Sequence, residues 1–118
     1  MEPNFICIEN VLSFHELQLE EHGGTAGIRD LGLLDSAIMM PQASFGGEFV
    51  HQDIYEMAAA YLFHICKNHP FVDGNKRVAL MTALVFLDIN NISFEAVDSE
   101  LEQLVLAVAK GKGMIVVD

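Results

Sequence analysis

The feature that most constrains this chain is a His-Pro step, His69-Pro70, set between two segments that are apolar on nearly every face. Proline cannot continue a helix and disfavours helical geometry in the residue before it, so a helix arriving at this step must end near Asn68 or His69. The incoming segment has the form of a helix. Asp53 and Glu56 make a capping box, and Ile54, Met57, Ala58, Tyr61, Leu62 and Ile65 recur with helical spacing. Its other face offers Ala59, Ala60, Phe63 and Cys66, also apolar. Beyond Arg77, residues 78–87 carry no charge before Asp88-Ile89-Asn90-Asn91. Helices that are apolar all round are buried ones, so these two segments form the core. The stretch that joins them, His69-Pro70-Phe71-Val72-Asp73-Gly74-Asn75-Lys76-Arg77, carries most of the reactive side chains.

The rest of the chain reads as scaffold. Phe5-Ile6-Cys7-Ile8 is either a brief strand or the lead-in to a helix. Residues 11–22 predict a first helix with one wet face, stopped by Gly23-Gly24; Ser13 and Glu16 match a capping box, although a start near Asn10 fits as well. Asp30 can cap a short helix with Leu33, Leu34, Ala37 and Ile38 on its apolar face, ended by Pro41. Residues 42–50 have no helical period, and Gly46-Gly47 between Phe45 and Phe49 reads as a loop, a mobile flap or a small hairpin. Ser99 and Glu102 cap a last amphipathic helix to about Lys110, stopped by Gly111-Lys112-Gly113, and Met114 to Val117 form an apolar tail.

At 118 residues the expectation is one domain, 1–118. Hydrophobic residues make up 52%, yet no uncharged run approaches the roughly 20 residues that span a bilayer. Met1-Glu2-Pro3-Asn4 lacks the basic start of a signal peptide, and Cys7 and Cys66 alone imply no disulfide framework, so a reducing cytoplasm is expected. The net charge of −11 opposes direct binding to nucleic acid or an anionic membrane. Against that background Lys67, Lys76 and Arg77, half of the six basic residues, fall within eleven positions. They either gather an anion there or merely offset neighbouring acids at helix ends.

The chemistry of the joining stretch favours the anion. A helix start leaves about four backbone N–H groups unpaired and carries roughly half a positive charge, which makes Gly74 to Arg77 a seat for phosphate. Gly74 permits close approach, the Asn75 amide can donate, Lys76 adds charge and Arg77 can fork two hydrogen bonds. The spacing is not that of a P-loop, which needs an earlier glycine and a Ser or Thr after the lysine. His69 can take a proton from a hydroxyl, and Asp73 suits Mg²⁺, which prefers carboxylate, water and phosphate oxygens. Base, metal and cradle together describe transfer of a phosphate-containing group from a nucleotide to a hydroxyl. The bland alternative is a capped loop between core helices with His69 as a surface cap.

The same nine residues resemble the signature of the Fic/Doc superfamily, and Lys76 resembles its Doc, or death-on-curing, branch. The likeness extends to Glu21-His22-Gly23-Gly24, Gly27-Ile28-Arg29-Asp30, Gly32-Leu33-Leu34 and Ala58-Ala59-Ala60-Tyr61, and covers the chain from about residue 8 to 110. The resemblance implies an all-α Fic fold, a helical bundle around two buried central helices joined by this loop. It implies His69 as catalytic base, Phe71 as the loop's anchor, Asp73 as a Mg²⁺ ligand, and Gly74, Asn75, Lys76 and Arg77 as the nucleotide-phosphate cradle. The adenylylating Fic branch has Gly-Asn-Gly-Arg with a second arginine three residues on, whereas this sequence has Lys76 and Leu80; Pro70 and Gly74 follow the broader Fic form. Lys76 and Leu80 turn the expectation from AMP transfer toward a toxin that moves the γ-phosphate of ATP to a hydroxyl of a protein. In the Doc branch that protein is elongation factor Tu, and a small antitoxin covers the cleft. A Fic-type adenylyltransferase and a non-catalytic binding module that keeps the loop are the alternatives. Ser44 to Glu48 approaches the inhibitory Ser/Thr-x-x-x-Glu motif of self-inhibited relatives, but Phe49 follows where Gly or Asn is needed, and the match reads as coincidence.

Other constellations carry less. His64-x-Cys66-x-x-His69-x-x-x-Asp73 invites zinc by composition, yet at about 100° per residue Cys66 lies about 200° round from His64, and His69 sits at the helix exit. His15 and His51 read as helix-end or surface residues, Arg29 beside Asp30 as ordering its loop, and the six methionines as core filler.

Overall fold

The computed structural model describes residues 2–92, which form four helices and one small hairpin. The expected last helix from Ser99 and the tail from Met114 lie outside the described residues. The architecture is all-α, as expected, with α3 (Ile54–Asn68) and α4 (Asn75–Ile89) running through the centre. α1 (Ile8–His22) packs on α4, and α2 (Leu31–Met39) packs on α3.

Each boundary has a local cause. α1 begins at Ile8, ahead of residue 11, because the Asn10 side chain accepts from the Cys7 backbone N–H at 3.3 Å; Ser13 and Glu16 play no capping part. It ends where the Gly23 N–H, at φ 74°, bonds back to the Leu19 carbonyl at 2.8 Å. Asp30 caps α2 by accepting from Leu33 N–H at 3.0 Å, and Asp53 caps α3 by accepting from Glu56 N–H at 2.8 Å. Both follow the sequence expectation. A 3₁₀ turn, Met40–Gln42, carries Pro41 and ends the second helix.

Two open questions resolve. Residues Phe5 to Cys7 are an extended lead-in, not a strand: Ile6 is buried, its N–H donates to the Tyr61 hydroxyl at 2.9 Å, and Phe5 stacks on Phe86. Asn4 and Asn90 exchange hydrogen bonds of 2.8 and 3.0 Å and fasten this segment to the end of α4. Residues in 42–50 form a hairpin of β1 (Ser44–Phe45) and β2 (Glu48–Phe49), with Ser44 opposite Phe49. Gly46 and Gly47 both have positive φ, which the tight two-residue turn demands. Phe49 packs edge-on against Phe5 while Phe45 is 87% exposed. The Ser44 to Glu48 stretch is thus hairpin, not the helix an inhibitory motif would need.

The core is built from Val11, Leu34, Met57, Tyr61, Leu62, Ile65, Phe71, Val78 and Phe86, all at most 1% exposed. Residues 57–62 of α3 are buried consecutively, as an all-round apolar helix requires. α4 departs from that pattern on one flank, where Leu80, Met81, Leu84 and Val85 are only half-buried and line a groove of about 400 Å³ with Gln18, His22 and Arg77. Among the described residues no helix is long and apolar enough to cross a membrane.

Candidate functional site

The site grows out of how α3 stops. Pro70 forbids another helical turn, and His69 takes up the left-handed conformation, φ 50° and ψ 53°, that closes the helix with a bond from its N–H to the Ile65 carbonyl at 3.1 Å. Such a conformation costs a non-glycine residue about 1–2 kcal/mol. Arg29 offsets it: its Nε donates to the His69 carbonyl at 2.6 Å and its Nη2 to the Asn68 carbonyl at 2.7 Å, so a cation caps the negative end of α3. The neighbouring N–H groups of Arg29 and Asp30 both donate to the Pro70 carbonyl, at 2.7 and 3.0 Å. Arg29 orders the loop, as expected, and the imidazole of His69 is left exposed at the rim of a cleft.

Phe71 then turns inward and is fully buried. Asn75 holds it there. The Asn75 side chain accepts from the Phe71 N–H and donates to the Phe71 carbonyl, both at 2.9 Å, and is itself 4% exposed. The Asn75 amide, expected to donate toward a phosphate, here donates to the buried Phe71 carbonyl, while Asn75 still borders the cleft.

Asp73 stands exposed on the loop. Thr25 N–H donates to its Oδ2 at 3.0 Å and Gly74 N–H to its Oδ1 at 2.9 Å. These two backbone bonds hold its carboxyl below the ordinary carboxylate value, with Arg77 and His15 adding smaller contributions. Each oxygen accepts one bond and keeps a lone pair, so the carboxylate suits a hard cation such as Mg²⁺ shared with phosphate oxygens and water.

Gly74, at φ 82°, is the N-cap of α4. The first backbone bond of that helix runs from Val78 N–H to the Gly74 carbonyl at 3.0 Å, so the N–H groups of Asn75, Lys76 and Arg77 have no partner within the helix. Lys76 and Arg77 are exposed, and among the described residues neither makes an ion pair. Arg77 acts on the Asp73 carboxylate only from beyond ion-pair distance, so the alternative in which these cations offset neighbouring acids is met in part. Cys66, His69, Val72, Asp73, Gly74, Asn75, Lys76 and Arg77 line one cleft of about 360 Å³, a size usual for small-molecule sites. All seven expected site residues except the buried Phe71 border it. Leu80 does not; it lies in the adjoining apolar groove. Of the zinc-like set, Cys66, His69 and Asp73 share the cleft and His64 is outside it. Burial pushes the Cys66 thiol up to about 11, so it is a neutral wall.

Two residues read from sequence as helix-end or surface groups are buried, although His51 does lie just ahead of the Asp53 cap of α3. His51 is 8% exposed, and burial lowers its pKa from the ordinary 6.5. His15 is 5% exposed, stacks flat on Phe71 at 4.0 Å and 12°, and lies 2.9 Å by Nε2 from the Asp73 carbonyl. The signal for His15 was present in its spacing, since it follows Val11 by four residues on the buried stripe of α1.

This fold and this cleft define the class. The chain belongs to the Fic/DOC family, whose pattern it matches over residues 5–87. Relatives carry the Doc name, in keeping with Lys76. The chain is 43% identical over 74 residues to Toxin Doc of Mycolicibacterium smegmatis, an overlap of 63% of this chain and 57% of that protein. It is 34% identical over 108 residues to Protein kinase doc of Escherichia phage P1, covering 91% of this chain and 83% of that one. The chain thus spans less than two thirds of the first relative's length.

Proposed function

We propose that this protein is a Doc-type toxin of a toxin–antitoxin pair that transfers the γ-phosphate of ATP to a hydroxyl group of a protein. The observation that carries the proposal is one cleft with an exposed histidine on its rim and an unpaired helix start bearing two cations beside it. The terminal phosphates of ATP accept from the N–H groups of Asn75, Lys76 and Arg77, and the Lys76 and Arg77 side chains offset their charge. Asp73 would hold Mg²⁺, which neutralises phosphate oxygens when bound. His69 takes the proton of the acceptor hydroxyl as its oxygen bonds to the γ-phosphorus; the bond from that phosphorus to the β,γ-bridging oxygen breaks, and ADP leaves. Gly74 allows the phosphate to approach the backbone, and Phe71 keeps the loop from moving.

The choice of γ-phosphate rests on Lys76, a long cation where the adenylylating branch has glycine, and on Leu80, an apolar side chain lining a separate groove where that branch has a second arginine. The relative from phage P1 is named a protein kinase, which agrees. By the same resemblance the acceptor is a translation factor, elongation factor Tu, the partner is a small antitoxin over the cleft, and the site of action is the cytoplasm.

ATP labelled at the γ- or at the α-phosphate tests the reaction directly. Label reaching protein only from the γ position is expected; label reaching it from the α position would establish adenylyl transfer instead. Expression of the His69→Ala variant tests catalysis as such: growth arrest should vanish, and arrest that persists unchanged would leave only a non-catalytic binding module.

A further inference from the structure

We infer that His15 is a positioning residue for this cleft, which sets the direction of the Asp73 carboxylate by holding the peptide plane between Asp73 and Gly74. The inference rests on the proposed reading of Asp73 as the cation ligand.

Three observations converge on it. His15 sits in the middle of α1, almost wholly buried, with its ring parallel to the fully buried Phe71 ring. Its Nε2 is 2.9 Å from the Asp73 carbonyl oxygen, which can only accept, so Nε2 carries the proton and donates. The far side of the same peptide group is the Gly74 N–H, which donates to Asp73 Oδ1. In a trans peptide the carbonyl and the N–H point in opposite directions. Drawing the Asp73 carbonyl inward toward α1 therefore turns the Gly74 N–H outward, onto the carboxylate.

The hold has to come from outside the loop. Gly74 has no Cβ and sits at positive φ, so the peptide before it can rotate at little cost unless something fixes it. A leucine or phenylalanine at position 15 would fill the space against Phe71 equally well. What the imidazole adds is a donor aimed at a loop carbonyl. The Thr25 N–H, just beyond the end of α1, reaches the other carboxylate oxygen, so α1 and its exit loop grip Asp73 from two sides while Asn75 fixes Phe71 from below.

Two variants separate the ring from the donor. His15→Phe keeps the stack on Phe71 and loses the hydrogen bond; His15→Gln loses the stack and keeps an N–H that can reach the carbonyl. Amide hydrogen exchange of Gly74 and Thr25, followed by NMR, reads the peptide plane without any reaction. A Mg²⁺ titration of the Gly74 amide shift in the presence of a non-hydrolysable ATP analogue reads the carboxylate. For His15→Phe, exchange at Gly74 faster by about tenfold and a half-saturating Mg²⁺ concentration higher by a similar factor are expected, as for the loss of one hydrogen bond. His15→Gln should stay near the wild-type value in both. Should His15→Phe fail to fold, the exchange and titration of His15→Gln decide alone, with near-wild-type values expected. Wild-type exchange and Mg²⁺ response in a folded His15→Phe protein would overturn the assignment, as would a His15→Gln protein more impaired than His15→Phe. If the wild-type protein transfers no phosphate, the proposed function falls while the exchange contrast still judges His15.

Discussion

At the scale of single residues, the site depends on close approach. Gly24 has φ +120°, and a Cβ built there would lie 2.7 Å from Asp73 Oδ2. Gly24→Ala is therefore expected to push the carboxylate out of reach of the Thr25 N–H and to lower stability by about 1–3 kcal/mol through backbone strain. Phosphate transfer at limiting Mg²⁺ should drop at least tenfold; activity and melting temperature both at wild-type level would show that the loop absorbs the methyl group freely. Asn75 carries a similar burden inside the protein. Asn75→Ala leaves the buried Phe71 N–H and carbonyl without partners, at about 1–3 kcal/mol each, and a fall of several degrees in melting temperature together with loss of transfer is expected. The pattern Asp-Gly-Asn announced a turn that opens a helix, but the division of labour within it was hidden: Gly74 borders the cleft, while the Asn75 side chain faces the core.

At the scale of an element, the end of α3 sets function against stability. His69 holds a left-handed conformation that glycine adopts without strain, and its ring is exposed. His69→Gly should raise stability by about 1 kcal/mol while abolishing transfer, which thermal melts and the labelled-ATP assay would show side by side. A variant that loses both would mean that the ring makes contacts the exposed geometry does not display. Arg29 acts from a different element on the same helix end. Arg29→Ala removes two charge-assisted hydrogen bonds to the last carbonyls of α3, so a loss of about 1–2 kcal/mol is expected, tempered by the exposure of the side chain. Transfer should fall along with it, because the conformation that presents His69 is no longer held. His-Pro was legible as a helix end, yet the cation that stabilises that end comes from forty residues earlier.

At the scale of the whole molecule, buried titratable groups bound the pH range of stability. Burial lowers the pKa values of His51 and His64 from 6.5, with Lys67 and His51 adding to the effect on His64. The unfolded chain therefore takes up protons first as the pH falls through about 6.5, and stability declines on the acid side. Burial pushes Tyr61 up from 10.0 to about 12 and Cys66 from 9.0 to about 11, so the unfolded chain releases those protons first and stability declines again as pH rises through that range. Melting temperatures across pH should peak between about 7 and 9, and the double variant His51→Asn with His64→Asn should flatten the acid limb; an unchanged acid limb would assign it to other groups. The sequence by itself determined the two central helices, the caps of α2 and α3 at Asp30 and Asp53, the break at His69-Pro70 and the residues His69 and Asp73 to Arg77 that border the cleft. The helices, caps and break follow from local rules of spacing, proline geometry and capping, and the cleft residues from the chemistry of a helix start together with a family signature. Only the tertiary structure decided that His15 stacks on Phe71, that Arg29 caps α3, and that Thr25 and Gly24 close on Asp73, since each of these pairs residues some forty to fifty-eight positions apart. No local pattern encodes such contacts; they exist because burying α3 and α4 brings α1 and the loop after it against the polar turn between those two helices.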